Sequence, residues 1–272
     1  MDAAATLRAL RRERGMTVDA VAAQAGWAKS SQSRLETGHM AIAWSHVVAL
    51  TGPLQLTPVM LARLARMIGA EDTSGPHAWW TQYESVLSTQ YEELIHLESQ
   101  ALGMVAASTL VPGIMQAEEY ARETIMRSAF VPDPDDAEAL LAVRLRRQET
   151  VSTGQAHLAV TLSEAALWNA FCGRLALRRQ LRYLLELGQL TNVSLRIVPY
   201  DARSLPFLGA VTILDLPAPS TSVTHVEYEA GAQLIRGERV VKRYRRDLAL
   251  YRDTAASEDV SEQMILQRVE SL

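Results

Sequence analysis

The chain has 272 residues, 48% apolar and 21% charged, a net charge of −4 and one cysteine, Cys172, which suits two domains with ordinary globular cores. A single cysteine excludes an intrachain disulfide and leaves no thiolate set for zinc. The longest apolar runs fall far short of the roughly 18 residues of a membrane span, and MDAAATLRALRRERG has no apolar signal core, so a cytoplasmic protein is expected.

Charge is unevenly placed. Residues 1–70 hold eight Lys/Arg against four Asp/Glu, net +4, which leaves −8 for the remainder of a chain whose total is −4. A basic head on an acidic body suits a protein that grips phosphates with one end.

In chain order, a first helix is expected over 4–14, with Leu7 and Leu10 inward and an arginine-rich outer face, ended by Gly15. Thr17 is the expected N-cap of a second helix, with Asp19 in its first turn to meet the dipole. A third helix follows a tight turn at Gly26, and Gly38 stands where a left-handed C-terminal cap belongs. Met16, Val21, Ala25, Trp27 and Leu35 point inward, while Lys29, Ser30, Ser31, Ser33 and Arg34 crowd the outer face of the third helix. A helix that lies in a DNA major groove needs that outer face. Patterns at 44–50 and 58–68 complete a five-helix bundle, and EDTSGPH (71–77) has linker chemistry. The expected division is a DNA-binding domain at 1–70, a linker at 71–78 and a second domain at 79–272.

Beyond the linker, 79–104 reads as one long amphipathic helix with Trp80, Tyr83, Leu87, Tyr91 and Leu94 on a core-facing stripe. VPGIMQAEEYARETIM (111–126) is a turn leading into a helix, 131–136 an acidic prolyl loop and 137–150 a further helix. HLAVTL (157–162) has strand composition, Ser163 caps a short helix reaching Phe171, and 174–187 is helical. NVSLRIVP (192–199) alternates with period two. AVTILDL (210–216), SVTHVEY (222–228) and AQLI (232–235) are the remaining strands, and hairpin-like turns at 217–220 and 229–231 favour antiparallel pairing. Closing helices are expected at 238–252 and 258–269. The body is therefore predicted to be α+β with a mostly antiparallel sheet.

The head resembles the lambda and 434 repressor family of helix-turn-helix domains, the Xre type, over about 4–70. Gly15, Met16, Thr17, Val21, Ala22, Ala25, Gly26, Ser33, Arg34, Leu35, Glu36 and Gly38 stand at that family's spacing. The resemblance implies a recognition helix starting near Ala28, with Thr17, Lys29, Ser30, Ser31, Ser33 and Arg34 as candidate contacts to double-stranded DNA. It implies a structural role for Glu36, partnered by an arginine of the first helix such as Arg11. Three positions depart from the pattern. Ala28 lacks the usual Ser/Thr cap, which removes about 1 kcal/mol of local stability. Val18 replaces a common Gln that contacts phosphate. Gln32 stands where a buried aliphatic residue is common, and the three departures bear on how firmly the recognition helix is seated, not on the fold.

The body resembles actinobacterial regulators of the WhiJ-like, antitoxin-like type, through Trp79, Trp80, Glu98, Val111, Pro112, Gly113, Gln116, Tyr120, Ala121, Arg147, Gln148, Glu164, Leu167, Gln180, Leu181, Val198, Pro199 and Glu227. Val211 departs from that family's common Phe. The resemblance implies regulation of development or secondary metabolism, often with a small acidic partner protein.

Enzyme signatures are absent. The six histidines are scattered; His225 and Glu227 form an H-x-E without the PCxxC half of zinc deaminases. Cys172 sits in an apolar helix end, and the glycines form no phosphate loop. The pairs Glu92/Glu93, Glu118/Glu119 and Asp135/Asp136 read as solvated faces. No catalytic residue, cofactor or metal is assigned. Arg144, Arg146, Arg147 and Gln148 form either an anion site or a paired helix face, and Met104, Met115 and Met126 either a pocket or core. The expectation is a homodimeric, sequence-specific regulator; the rival is an antitoxin-like module that binds a partner protein, and a small-molecule ligand stays open.

Overall fold

The computed structural model describes residues 2–69, 79–128, 133–203, 209–218, 222–228 and 231–272. The expected linker at 71–78, residues 131–132 of the prolyl loop, and residues 219–220 and 229–230 of the two hairpin turns lie outside them. The chain divides into two compact units, Met1–Thr81 and Gln82–Leu272.

The first unit contains α1 (Ala3–Glu13), α2 (Val18–Ala25), α3 (Lys29–Glu36), α4 (Trp44–Leu50) and α5 (Pro58–Met67). Side-chain oxygens begin three of them: Asp2 accepts from the Ala5 N–H at 2.7 Å, Thr17 from Ala20 at 3.1 Å and Thr57 from Met60 at 3.3 Å. Each cap satisfies an amide the helix leaves unpaired and is worth about 1 kcal/mol. Leu7, Val21, Leu35, Val47, Leu50, Leu54 and Leu64 are fully buried, and each contributes about 1.5–3 kcal/mol relative to exposure.

The second unit runs α6 (Thr89–Gln100), β1 (Gly103–Ser108), α7 (Glu118–Met126), α8 (Pro134–Arg147), α9 (Glu149–Ser152), β2 (His157–Ser163), α10 (Ala165–Trp168), α11 (Arg174–Gly188) and β3 (Val193–Val198). It continues through β4 (Ala210–Asp215), β5 (Val223–Tyr228), β6 (Gly231–Ile235), α12 (Glu238–Asp253) and α13 (Glu258–Ser271). The six strands form one sheet in the order β3-β2-β1-β4-β5-β6. One face packs Met104, Leu158, Val160 and Leu195 against Leu177, Leu181 and Leu184 of α11 and Ile265 of α13. The other packs Ala107, Val211 and Ile213 against Val241, Leu248 and Tyr251 of α12.

The sheet is mixed, which corrects the antiparallel expectation. β1 pairs parallel with β2 and β2 with β3, while β1, β4, β5 and β6 pair antiparallel. Helical crossovers separate β1 from β2 and β2 from β3, and a parallel neighbour can be reached only by such a crossover. The expected helix over 79–104 is a second correction. Trp79–Tyr83 is a 3-10 turn, α6 begins only at Thr89 behind the cap of Ser88 on the Tyr91 N–H, and Gly103 and Met104 open β1. α8 also starts earlier than expected. Asp133 accepts from the Asp135 N–H at 2.9 Å and Pro134 takes the first helical position, so Asp135 and Asp136 belong to its first turn. Among the described residues, no helix is long and apolar enough to cross a membrane.

Candidate nucleic-acid interface

α2 and α3 are joined by Gly26 in the left-handed conformation, φ 80°, which a side chain would strain. The Trp27 N–H then returns to the Ala22 carbonyl at 3.0 Å and redirects the chain into α3. Ala28 makes no side-chain cap. The seat of α3 comes instead from a connected polar chain. The Trp27 indole N–H donates to Gln32 Oε1 at 3.1 Å, and Gln32 Nε2 donates to Glu36 Oε1 at 2.8 Å. Arg11 closes on the Glu36 carboxylate through Nε at 2.7 Å and Nη2 at 2.9 Å, and reaches the Met16 carbonyl at 2.8 Å. Gln32 is fully buried and Glu36 nearly so. The Glu36 hydrogen bond raises the Arg11 pKa against the opposing effect of burial.

This network is how α3 is seated without the family's cap and aliphatic residue. A polar residue at an inward position is tolerable when every bond it needs is met, and Gln32 finds a donor five residues back and an acceptor four residues on. The sequence cue was present: an indole in the preceding turn and a carboxylate one helical turn later.

Outward from this seat, Lys29, Ser30, Ser33 and Arg34 are exposed, and Ser31 is half-buried. Ser31 therefore turns partly away from the face on which the other four lie. Thr17 is exposed, with its hydroxyl oxygen engaged as the α2 cap. Lys29 Nζ lies 2.8 Å from Asp19 Oδ2, both side chains well exposed, a pairing that spacing alone did not reveal. A phosphate approaching Lys29 must replace Asp19 or lie beside it. Arg8 and Arg12 are exposed on α1, whereas Arg11 is drawn inward. The face thus presents two cations and small hydroxyls, all able to donate to phosphate or base-edge acceptors.

In the second unit, Arg144, Arg147 and Gln148 of the cluster at 144–148 are engaged within the protein. Arg147 makes a doubly hydrogen-bonded pair with Glu98, Nε–Oε2 and Nη2–Oε1 both at 2.7 Å, and donates to the Tyr91 hydroxyl at 2.6 Å. Glu98 holds the Arg147 pKa up although burial alone would lower it. Arg144 donates to Gln116 Oε1 at 2.9 Å, and Gln148 donates to the carbonyls of Gly113 at 3.1 Å and Gln116 at 2.7 Å. Gln180 accepts the Ala117 N–H at 2.7 Å and donates to the Met115 carbonyl at 2.8 Å. These residues pin the 111–117 loop between β1 and α7.

His225 is buried beside this pair; burial pushes its imidazole down to about 4, with Glu98 opposing and Arg147 adding to the fall. Burial likewise raises the Cys172 thiol. Glu92 and Glu93 are buried, against the solvated face expected of them, and Glu93 pairs with Arg236. Met104 and Met115 are core, while Met126 is half exposed. Among the described residues, no group of three or more His, Cys, Asp and Glu could hold a metal ion.

Family comparison divides the chain in the same order. A model described as a helix-turn-helix domain matches residues 2–74, and one described as a domain of unknown function, DUF5753, matches residues 91–267. No curated protein and no solved structure matches the chain.

Proposed function

The chain belongs to the DUF5753 family and carries a helix-turn-helix domain ahead of that region, and from that premise we propose that it is a homodimeric, sequence-specific transcriptional regulator of the Xre type. The helix-turn-helix domain points to DNA as its partner. The observation that carries the reading is the exposed face of α3, with Lys29, Ser30, Ser33 and Arg34 outward from a helix whose inner face is fixed by Leu35, Gln32 and Glu36. In this reading Arg34 addresses a base edge, Lys29 and the Thr17 region address phosphate, and the second unit carries no catalysis. It controls the heads by favouring one arrangement over another, through differential affinity of whatever binds it. The sequence resemblance of the second unit to WhiJ-like regulators is what suggests a role in development or secondary metabolism.

One head makes too few contacts for specific binding at physiological salt, so the operator is expected to be an imperfect palindrome. Its half-sites should lie about one helical turn apart, roughly 10 base pairs, or a multiple of it. Footprinting of the full-length protein on the DNA upstream of its own gene checks this. Two symmetric protected half-sites support the proposal, and a single short asymmetric site bound by a monomer would count against it.

A further inference from the structure

The two edges of the six-stranded sheet are treated differently. On β3, the Ile197 N–H donates to Ser261 Oγ at 2.9 Å and its carbonyl accepts the Ala256 N–H at 2.9 Å. The corner between α12 and α13 thereby covers that edge at Ile197. β6, at the other edge, pairs only with β5, and its backbone makes no further hydrogen bond among the described residues. Its sequence, GAQLI, carries no charge and no proline, the devices by which proteins usually blunt a free edge. Gln233 at its centre is exposed.

Alternation along an antiparallel ladder decides which groups point away. The Thr109 N–H donates to the Gly209 carbonyl, so the odd-numbered residues of β4 face β1. Ala210, Thr212 and Leu214 then bond Glu227, His225 and Val223 of β5, which leaves Tyr228 as the hydrogen-bonded partner of Gly231. Val226–Gln233 and Thr224–Ile235 are then hydrogen-bonded pairs as well. The N–H and C=O groups of Ala232 and Leu234 are left facing outward.

We propose that the β6 edge is the homodimer interface, occupied by β6 of a second copy of this chain in antiparallel register about a two-fold axis at Gln233. The proposal deepens the homodimer of the proposed function and rests on that reading for its need of two heads. A strand edge asks for a strand, and an uncharged five-residue edge is self-complementary under a two-fold axis. Ala232 then exchanges hydrogen bonds with the partner's Leu234, and Leu234 with the partner's Ala232. Gln233 faces the partner's Gln233, no like charges meet within the strand pair, and the two sheets become one of twelve strands. Such an isologous contact closes on itself and uses up the β6 edge of both copies.

Directly opposite residues of an antiparallel pair have Cα atoms about 4.5–5.5 Å apart, within the span of a disulfide. Gln233→Cys in the full-length protein is therefore expected to form a cross-linked dimer on mild oxidation, reversed by reductant. Wild type, whose one cysteine is buried, and Arg196→Cys on the β3 edge should stay at monomer mass in denaturing gels. Ala232→Pro removes an outward amide while sparing the β5 ladder. It should sediment as a monomer at concentrations where wild type is dimeric. A monomeric wild type, a Gln233→Cys protein that fails to cross-link, or a folded Ala232→Pro protein that stays dimeric would each overturn the interface. Should Ala232→Pro fail to fold, the cross-link decides alone. Both measurements are made without DNA, so a β6-linked dimer that ignores its upstream DNA overturns the regulatory reading and leaves the interface standing.

Discussion

Glu98→Ala is expected to destabilise the second unit by about 3–5 kcal/mol. Glu98 and Arg147 are nearly excluded from solvent, with side-chain exposures of 6% and 8%. The alanine leaves the Arg147 guanidinium buried with only the Tyr91 hydroxyl and the π face of Tyr91, 4.8 Å away, as compensation. The pair itself need not add net stability, because desolvating both ions offsets much of their attraction. The double variant Glu98→Ala with Arg147→Met should therefore be more stable than Glu98→Ala alone. Urea denaturation of the three proteins checks both statements. A single variant within about 0.5 kcal/mol of wild type, the range of an ordinary surface change, would contradict the assignment.

The second large effect concerns the head. Glu36→Ala removes the acceptor at which Arg11 and Gln32 converge, leaving a guanidinium only 12% exposed without its counter-charge. A loss of about 2–4 kcal/mol is expected, a large share of the stability of a small helical unit. DNA binding should fall with it, since α3 loses its tie to α1. Gln32→Leu supplies the aliphatic residue common at that position in the family and should cost no more than about 1–2 kcal/mol, because Trp27 is half-buried and its N–H can turn to water, and Arg11 still pairs with Glu36. Thermal unfolding of the two variants followed through tryptophan fluorescence separates them. Equal losses would show that the bonds through Gln32 hold α3 as firmly as the ion pair does.

The head was legible because its signals are local. Thr17 as cap, Gly26 and Gly38 with positive φ, and the inward Val21 and Leu35 all follow from spacing within one or two helical turns. The Arg11–Glu36 pair, 25 residues apart, became visible only through the family resemblance. A polar Gln32 at an inward position is explained only by its partners Trp27 and Glu36, which single-position polarity does not reveal. Lys29 was placed on the correct helix, but its pairing with Asp19 depends on the angle between α2 and α3.

The body was harder to read, for physical reasons. β1 is six residues long, follows α6 after two residues, and includes Ala106 and Ala107, which carry little strand preference. Its pairing partners lie more than fifty residues away. Missing β1 removed the centre of the sheet, and the visible hairpin turns beyond β4 then suggested an antiparallel sheet throughout. The cue for parallel pairing was the helix between HLAVTL and NVSLRIVP, a crossover that an antiparallel neighbour does not need. Many residues behind the body's resemblance proved to be scaffold: Gln116, Gln148 and Gln180 bind loop backbone, and Glu98 binds Arg147.

The claim that α3 reads DNA is tested most directly by fluorescence anisotropy with the full-length protein and the footprinted operator, comparing wild type, Arg34→Ala and Lys29→Ala. Arg34 is exposed, and its side chain makes no hydrogen bond or ion pair among the described residues, so its removal should leave folding unchanged. Arg34→Ala is expected to weaken operator binding by about 1–3 kcal/mol while altering non-specific binding less, as loss of a base-edge contact requires. Lys29→Ala should weaken binding to all sequences alike and flatten the salt dependence, as loss of a phosphate contact requires. Operator affinity unchanged in both variants would contradict the assignment of α3 as the recognition helix.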